Sequence, residues 1–529
     1  MTSGIAQGEM VDLLVVGGGI NGAGIAQGEM VDLLVVGGGI NGAGIARDAA
    51  GRGVSVLLVE QDDLAGHTSS ASTKLIHGGL RYLEYGEFRL VREALIERER
   101  LWKMAPHIIW PLRFVLPQTH SPRPAWQVRA GLFLYDHLGG RDELPGTKTV
   151  RLDQTPYGAG LSARNGRAFV YSDCWVEDSR LVVLNALDAA ERGATILTRT
   201  RLVAAAREAD GWTATIADAV GERRVRARAL VNAAGPWVAD VIGRAAGAKS
   251  ERGVRLIKGS HVVVPRLYEG DHAFMLQNAD RRIVFAIPYE GRFTLLGTTD
   301  QPWEGAPAKA AIDADETAYI LETANRYFVH QLTPSDVVWS YAGIRPLYDD
   351  RKGSASAVTR DYVLDLDAGP GKAPMLSIFG GKITTYRKLA EHALGELARF
   401  LPATGPAWTA GAALPGGAMP GGDFERFLSA AEAERPNFPR PLLRRLARAY
   451  GTRIAEILGP AANPAALGAD LGGGLHEAEI DYLVRAEWAR TAEDILFRRS
   501  KLGLHVPAET ASRIDALLAT RSDLRSVAA

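Results

Sequence analysis

Three glycines and one glutamate set the first chemistry this sequence offers. Gly37, Gly39 and Gly42 form a G-x-G-x-x-G loop, and Glu60 follows 18 residues after the last of them. Gly37 permits a tight turn, Gly39 admits a pyrophosphate close to the backbone, and Gly42 lets a helix pack against a strand. The N-terminus of the helix that follows the loop would aim unpaired N–H groups and a positive dipole end at phosphates. Glu60 can accept hydrogen bonds from ribose hydroxyls. The elements needed to position these residues are legible around them. Residues 31–36 are a Val- and Leu-rich run of the kind buried on both faces of a sheet. Residues 45–50 read as a helix, Gly51-Arg52-Gly53 as its stop, and residues 54–59 as a second buried strand. This is a complete β-α-β unit, and it implies dinucleotide binding.

Residues 4–23 and 24–43 are identical. In the first copy the helix is cut short by Gln27-Gly28-Glu29, and Ile40 stands where an acid is needed. Residues 1–29 therefore read as a redundant duplication, with an extra edge strand as the alternative. The head does not resemble a signal peptide, because no Lys or Arg precedes Arg47.

Further polar and glycine-rich stretches recur beside predicted strands. Gln61 and the segment Thr68-Ser69-Ser70-Ala71-Ser72-Thr73-Lys74 supply hydroxyls and N–H groups for phosphate or flavin contacts. His77-Gly78-Gly79-Leu80-Arg81 lets backbone approach a flat ligand, with His77 and Arg81 alongside. Residues 229–233 form an apolar strand ending in Ala234-Gly235-Pro236-Trp237, placed to return beside the first strand. Residues 376–379 run into Gly380-Gly381-Lys382, and Thr384-Thr385 opens a helix, a natural seat for a polar cofactor edge.

The totals bound the rest. A chain of 529 residues holds two or three domains. Lys plus Arg and Asp plus Glu both number 61, so nothing points to nucleic acid. Cys174 is the single cysteine, which excludes an internal disulfide and a Cys-based zinc site and fits a reducing compartment. No apolar run reaches the length of a membrane-spanning helix.

Residues 87–104 read as a helix. Residues 122–138 are apolar, aromatic and Arg-bearing, which suits either a bilayer surface or buried core, and the pattern favours core. Residues 169–175 read as a strand, 177–190 as a helix, and 212–216 with 223–228 as a hairpin. Short strands near 261–265, 282–288 and 293–296 predict an antiparallel block. A Pro- and Gly-rich stretch from about 401 marks a linker. Beyond it, helical spacing at 424–434, 441–450, 476–488 and 492–501 predicts a small helical domain, with Arg444, Arg445 and Arg448 on a solvated face. The expected division is 1–29; 30–400, with substrate parts at about 106–164 and 256–334; and 401–529.

The stretches GGGINGAGIA…LLVE, TSSASTKLIHGGLRYLE, YSDCWVEDSRLV, VNAAGPWV, RLIKGSH, GTTD, YAGIRPL, TRDY, FGGKITTYRKLAEHAL and EWARTAEDILFRR together resemble the FAD-dependent glycerol-3-phosphate dehydrogenases of the quinone-linked bacterial type. The resemblance implies an α/β fold: a discontinuous Rossmann-like FAD-binding domain, an antiparallel-β substrate domain and a C-terminal helical domain. It implies oxidation of sn-glycerol 3-phosphate to dihydroxyacetone phosphate, with electrons passing through FAD to a membrane quinone. The expected setting is the cytoplasm, peripheral on the inner face of the cytoplasmic membrane. Expected partners are the substrate, the quinone, the membrane surface and, in one arrangement, a second copy as a homodimer. No metal or EF-hand loop is expected.

By family position, Arg81, Tyr82, Thr298, Arg345, Arg360 and Lys382 would bind substrate. Its phosphate dianion calls for cations, preferably the arginine fork. His261 is a sensible base by its ordinary pKa, and Arg345 could stabilise a developing alkoxide; these two are the expected catalytic pair. The expected cofactor contacts are Gly37, Gly39, Ile40, Asn41, Gly42, Glu60, Gln61, Thr68, Ser69, Ser70, Ser72, Lys74, His77, Gly78, Leu80, Val203, Gly235, Trp237, Gly343, Gly381, Lys382, Thr384 and Thr385. Rival readings are an oxygen-reducing glycerol-3-phosphate oxidase, an FAD amine or amino-acid oxidase, and a flavin-free nucleotide sensor.

Overall fold

The computed structural model describes residues 30–140, 142–250, 252–349, 361–402 and 404–521. The duplicated head and Arg360 lie outside the described residues. Strand β1 (Met30–Val36) leads through the glycine loop into helix α1 (Ile40–Gly51) and on to β2 (Val56–Val59). Leu33, Leu34 and Val35 are fully buried because helices and sheet cover both faces of β1. β1 and β2 run parallel, with Leu33 opposite Val56 and Val36 opposite Val59. Thr195–Leu197 extends the parallel sheet beyond β2, and Glu222–Asn232 and Lys372–Phe379 extend it beyond β1.

The strand after the glycine-bounded turn is longer than expected. The second arm of the predicted hairpin and the returning strand are one continuous element, Glu222–Asn232. Its first half pairs antiparallel with Trp212–Ala217, and its end pairs parallel with β1. The first half alternates and is rich in Arg, while the remainder is an apolar run, so the sequence resembles two separate strands. The halves differ only because solvent covers one and helices the other.

A second sheet carries the inserted domain. Gly253–Pro265 lies between Phe293–Gly297 and Trp339–Asp349. Ile283–Tyr289, Ala273–Gln277, Ile109–Pro117 and Arg167–Val176 follow outward. The pairings are antiparallel, as expected, except that Ala273–Gln277 runs parallel to Ile109–Pro117. The sheet also recruits Arg167–Val176 and Trp339–Asp349, outside the expected bounds of the substrate domain. Nearly every residue of Arg167–Val176 is buried, so no alternation marks the sheet it belongs to.

Helix α2 (Phe88–Met104) and helix α3 (Ala125–Leu138) cap this domain. The expectation of a buried core segment is overturned for α3. Only Val128, Leu132 and Tyr135 are buried, a narrow stripe at helical spacing. Trp126 is 75% exposed and Phe133 54% exposed.

The C-terminal domain packs Phe424–Glu434, Arg440–Tyr450, Ile454–Leu458, Glu477–Ala486 and Glu509–Thr520 around a core of its own. The last predicted helix is instead a π-helical turn, Asp494–Arg499. The arginine face also differs from expectation. Arg445 pairs with Glu479 at 2.6 Å, while Arg448 stacks on Phe424 at 3.5 Å and on Trp110 of the inserted domain at 4.4 Å. Arg448 therefore lies at a seam between domains, while Arg444 stays partly exposed and pairs with Glu425 at 2.6 Å. No described helix is long and apolar enough to cross a membrane.

Candidate active site

Gly37, Gly39, Ile40 and Asn41 line a long cavity at the carboxyl end of the parallel strands, where the fold places ligands. Glu60, Gln61, Thr68, Ser69, Ser72, Gly235, Trp237 and Gly381 complete the expected lining. Gly42 stands behind the loop rather than on the cavity wall. A Cβ there would lie 1.9 Å from the Gly37 carbonyl oxygen, so its absence lets α1 close on the loop.

The loop is tied down from two sides. Glu60 accepts hydrogen bonds from the backbone N–H of Gly38 at 2.6 Å and of Asp62 at 2.8 Å, and burial pushes its pKa above the usual range. The carboxylate thus holds the glycine loop from behind while lining the cavity. Asn41 donates to the Gly380 carbonyl at 3.2 Å, linking the first glycine loop to the last. Its Oδ1 is buried on the cavity with no hydrogen-bond partner among the described residues. A buried acceptor left open beside a row of glycines fits a polar, hydrogen-bonding dinucleotide.

On the inserted sheet, His261 faces Gly297 on one side and Tyr341 on the other. Its ring stacks on Tyr341 at 4.8 Å, and its Nε2 meets the Thr73 hydroxyl at 3.0 Å. A Cβ on Gly297 would fall 2.2 Å from the imidazole, so glycine at 297 makes room for the ring. His261 is 1% exposed, and its Nδ1 has no partner among the described residues. Burial, then the cations Arg345 and Lys74, hold its pKa well below the ordinary value. Arg345 donates to the Thr298 hydroxyl at 2.9 Å and to the Thr299 carbonyl at 3.3 Å, and it pairs with Asp300. The guanidinium is therefore fixed before any ligand arrives.

A second group of cations comes from the loop after Ile76 and from the strand end at Phe379. Lys382 Nζ sits 3.7 Å from the centre of the Tyr82 ring. Arg81 reaches the Tyr85 hydroxyl at 3.5 Å, and its Nε is buried without a partner among the described residues. His77 lies next to Lys382; burial, then Lys382 and Arg98, push its pKa down to about 3, so it stays neutral. The backbone N–H of His77 donates to the Thr384 hydroxyl at 3.3 Å, joining the two loops.

Several expected cofactor residues act from behind the wall. Lys74 is fully buried, pairs with Asp178 at 2.7 Å and donates to the Ser70 carbonyl at 3.1 Å. Its charge is spent on the loop's own support, so it is not a lining cation. The Ser70 hydroxyl donates to the His67 carbonyl at 3.1 Å. Gly343 packs against Ala71. Leu202, not Val203, lines the cavity, because side chains alternate along that strand. Thr385 is buried at the start of Tyr386–Leu397. Leu80 opens the short helical turn bearing Arg81.

Some contributors carry little or no signal in the sequence. Gly78 N–H donates to the Tyr135 hydroxyl at 2.7 Å, and that hydroxyl donates to Asp173, which pairs with Arg98 at 2.7 Å. This buried trio supports the double-glycine loop from α3. His67 and Thr200 also line the cavity, and His67 bonds Asp62 at 2.7 Å. Among these, only the histidine next to a hydroxyl-rich loop stands out by type and position.

A dinucleotide cavity opening beside a sheet that presents a buried histidine and a preset arginine defines an FAD-dependent oxidoreductase fold. Residues 32–387 match the model described as FAD dependent oxidoreductase, and residues 408–523 match the C-terminal domain of alpha-glycerophosphate oxidase. The chain is 54% identical to the D-erythritol 1-phosphate dehydrogenase of Brucella abortus, over 97% of this chain and 98% of that protein. It is 56% identical to the glycerol-3-phosphate dehydrogenase of Pseudomonas aeruginosa, over 94% and 92% of the two chains. It is 50% identical to the aerobic glycerol-3-phosphate dehydrogenase of Escherichia coli, over 96% and 97%. The structure of the Bacillus halodurans glycerol-3-phosphate dehydrogenase complexed with FAD matches with a TM-score of 0.71 at 28% identity, covering 94% and 95% of the two chains. The chain belongs to the FAD-dependent glycerol-3-phosphate dehydrogenase family, and FAD is its cofactor.

Proposed function

We propose that this enzyme oxidises sn-glycerol 3-phosphate to dihydroxyacetone phosphate and passes the electrons to a membrane quinone. The observation that carries the reading is the grouping of cations with a histidine: Arg345 near His261 on the sheet, and Arg81 with Lys382 on the loops after Ile76 and Phe379. Phosphate is a dianion near neutral pH, and three cations in fixed places suit it better than a carboxylate. Arg81 has a buried Nε with no partner among the described residues, and Tyr82 and Thr298 stand against Lys382 and Arg345 respectively. Arg360, outside the described residues, remains a proposed fourth cation.

The substrate hydroxyl must lose its proton as the carbon is oxidised. His261 is neutral at physiological pH because burial and Arg345 disfavour its charged form, so it is ready to accept that proton. Arg345, held by Thr298 and Asp300, is aimed to stabilise the developing alkoxide without reorganising. The cofactor held by Gly37–Asn41, Glu60 and the Thr68–Ser72 loop supplies the two-electron acceptor for the alcohol carbon.

The outer face of α3 supports the peripheral membrane reading. Trp126, Phe133 and Leu134 are exposed there, with Tyr85 and Phe88 exposed on the adjoining segment. An interfacial helix of this kind lies in the headgroup layer with its apolar residues inserted. Docked through α3 on the inner face of the cytoplasmic membrane, the enzyme would be in reach of a lipid-soluble quinone.

The relative from Brucella supports a second reading, D-erythritol 1-phosphate as substrate, since both compounds present a phosphate and a neighbouring secondary alcohol. Anaerobic turnover with a quinone analogue, run with each compound in turn and then with oxygen alone, separates the readings. The expected result is a higher kcat/KM for glycerol 3-phosphate. A higher value for D-erythritol 1-phosphate assigns the second reading, and turnover with oxygen alone makes the enzyme an oxidase.

A further inference from the structure

Residues 62–67 follow Glu60 and form one wall of the cofactor cavity: Ala65, Gly66 and His67 line it. Within the cofactor domain this wall is tied by backbone bonds, Ala65 N–H to the Gly38 carbonyl at 3.1 Å and Arg199 N–H to the Asp62 carbonyl at 2.8 Å. A stronger grip comes from outside. The Asp63 carboxylate is 3% exposed and accepts three charge-assisted hydrogen bonds. They come from Arg498 Nε at 2.6 Å, Arg499 Nη1 at 2.6 Å and Arg499 Nη2 at 2.8 Å. All three donors belong to the C-terminal domain, more than 400 residues along the chain.

The donors are themselves braced. Arg499 is fully buried, and its Nε donates to the Glu487 carbonyl at 3.0 Å. Asp494 caps its own turn by accepting from the backbone N–H groups of Arg490 at 2.7 Å and Thr491 at 3.0 Å. Asp494 also pairs with Arg498 and, at 2.6 Å, with Arg199, the neighbour of cavity-lining Thr200. The π-helical turn Asp494–Arg499 places two consecutive arginines on one carboxylate. Leu64, next to Asp63, is fully buried, and its side chain lies 3.0 Å from where a Cβ on Gly38 would stand. A shift of Asp63 is therefore a shift of the phosphate loop.

We propose that the C-terminal domain is a clamp on the cofactor. Arg498 and Arg499 are positioning residues that hold Asp63, and through it the wall at 65–67, against the Gly37–Gly39 loop. The clamp extends from the cofactor assignment and does not depend on which substrate is oxidised. It gives the helical domain a role in flavin retention.

Two variants test it. Arg499→Lys keeps the charge but loses the fork. Asp63→Leu with Arg499→Met removes the fully buried pair, while Arg498 keeps Glu493 and Asp494, so no buried ion is orphaned and the fold is spared. Each is stripped of flavin and titrated with FAD, and the melting temperature of the apoprotein is recorded in parallel. The expected result is an FAD Kd raised at least about tenfold, the scale of one charge-assisted hydrogen bond, with the double variant's apoprotein melting close to wild type. If Arg499→Lys does not fold, the double variant alone decides. An FAD Kd within about twofold of wild type in the folded double variant overturns the clamp and leaves these residues as a fastening between domains.

Discussion

Replacing Gly42 by alanine sets two known effects against each other. Inside a helix, Gly→Ala on its own stabilises by about 0.5–1 kcal/mol, because glycine loses more backbone freedom on folding. At position 42 the new methyl would meet the Gly37 carbonyl oxygen at 1.9 Å, about 1.5 Å short of ordinary van der Waals contact. Gly37 cannot retreat: its φ is +113°, and its own back faces the Ala233 carbonyl. Helix α1 must move, and its other side is packed on Asp178–Glu191 and Tyr386–Leu397. Overpacking of this kind costs about 1–3 kcal/mol. That strain falls on the loop proposed to hold the pyrophosphate, so FAD affinity should drop about 10- to 100-fold. Gly395→Ala is the control. It lies in Tyr386–Leu397 with nothing within 4 Å of the new methyl, so it should gain the helix term and leave FAD binding unchanged. The assay is FAD titration of the apoprotein. Wild-type affinity in Gly42→Ala would refute the packing argument. So would an equal loss in Gly22→Ala, the matching position of the first copy.

Other variants probe separate parts of the site. Arg345→Lys keeps a cation but loses the fork to Thr298 and Asp300; kcat should fall by about 10²-fold with FAD retained, and an unchanged kcat removes Arg345 from the alkoxide role. Tyr135→Phe strips the acceptor from Gly78 N–H and a donor from Asp173; unfolding should become easier by about 1–3 kcal/mol, as urea denaturation would reveal. His107 is buried with neither ring nitrogen bonded among the described residues, and burial, then Arg180 and Arg448, push its pKa down to about 3. Its unfolded form binds a proton below about pH 6.5 while the folded form does not, so stability is lost as pH falls from about 6.5 towards 3. His107→Phe should flatten that acid limb in a series of melting curves, and an unaltered slope would contradict the assignment.

The cofactor half of the molecule was legible because its signals are local. The strand, glycine loop, helix and acid lie within about thirty consecutive residues, and each residue type is dictated by contact with backbone or phosphate. The substrate half was less so. Arg345 and His261 act through cross-strand partners, Thr298 and Tyr341, that only sheet register brings near. α3 misled for a different reason: its buried stripe of Val128, Leu132 and Tyr135 is apolar, but so is its outer face, and periodicity alone cannot say which side meets protein. Arg448 misled in the opposite sense, since a charge run usually marks a solvated face and this one packs against aromatic rings of a neighbouring domain. Lys74 was read as a ligand contact because it sits in a cofactor motif; its buried partner Asp178 lies more than a hundred residues away.

The central claim is that Arg81, Arg345 and Lys382 read a phosphate while FAD takes two electrons from the alcohol beside it. Anaerobic rapid mixing of the flavin-loaded enzyme with sn-glycerol 3-phosphate tests this in a single turnover, without any acceptor. The account predicts full bleaching of the flavin by glycerol 3-phosphate and none by glycerol at the same concentration. Equal bleaching by glycerol, or none by glycerol 3-phosphate, would contradict it.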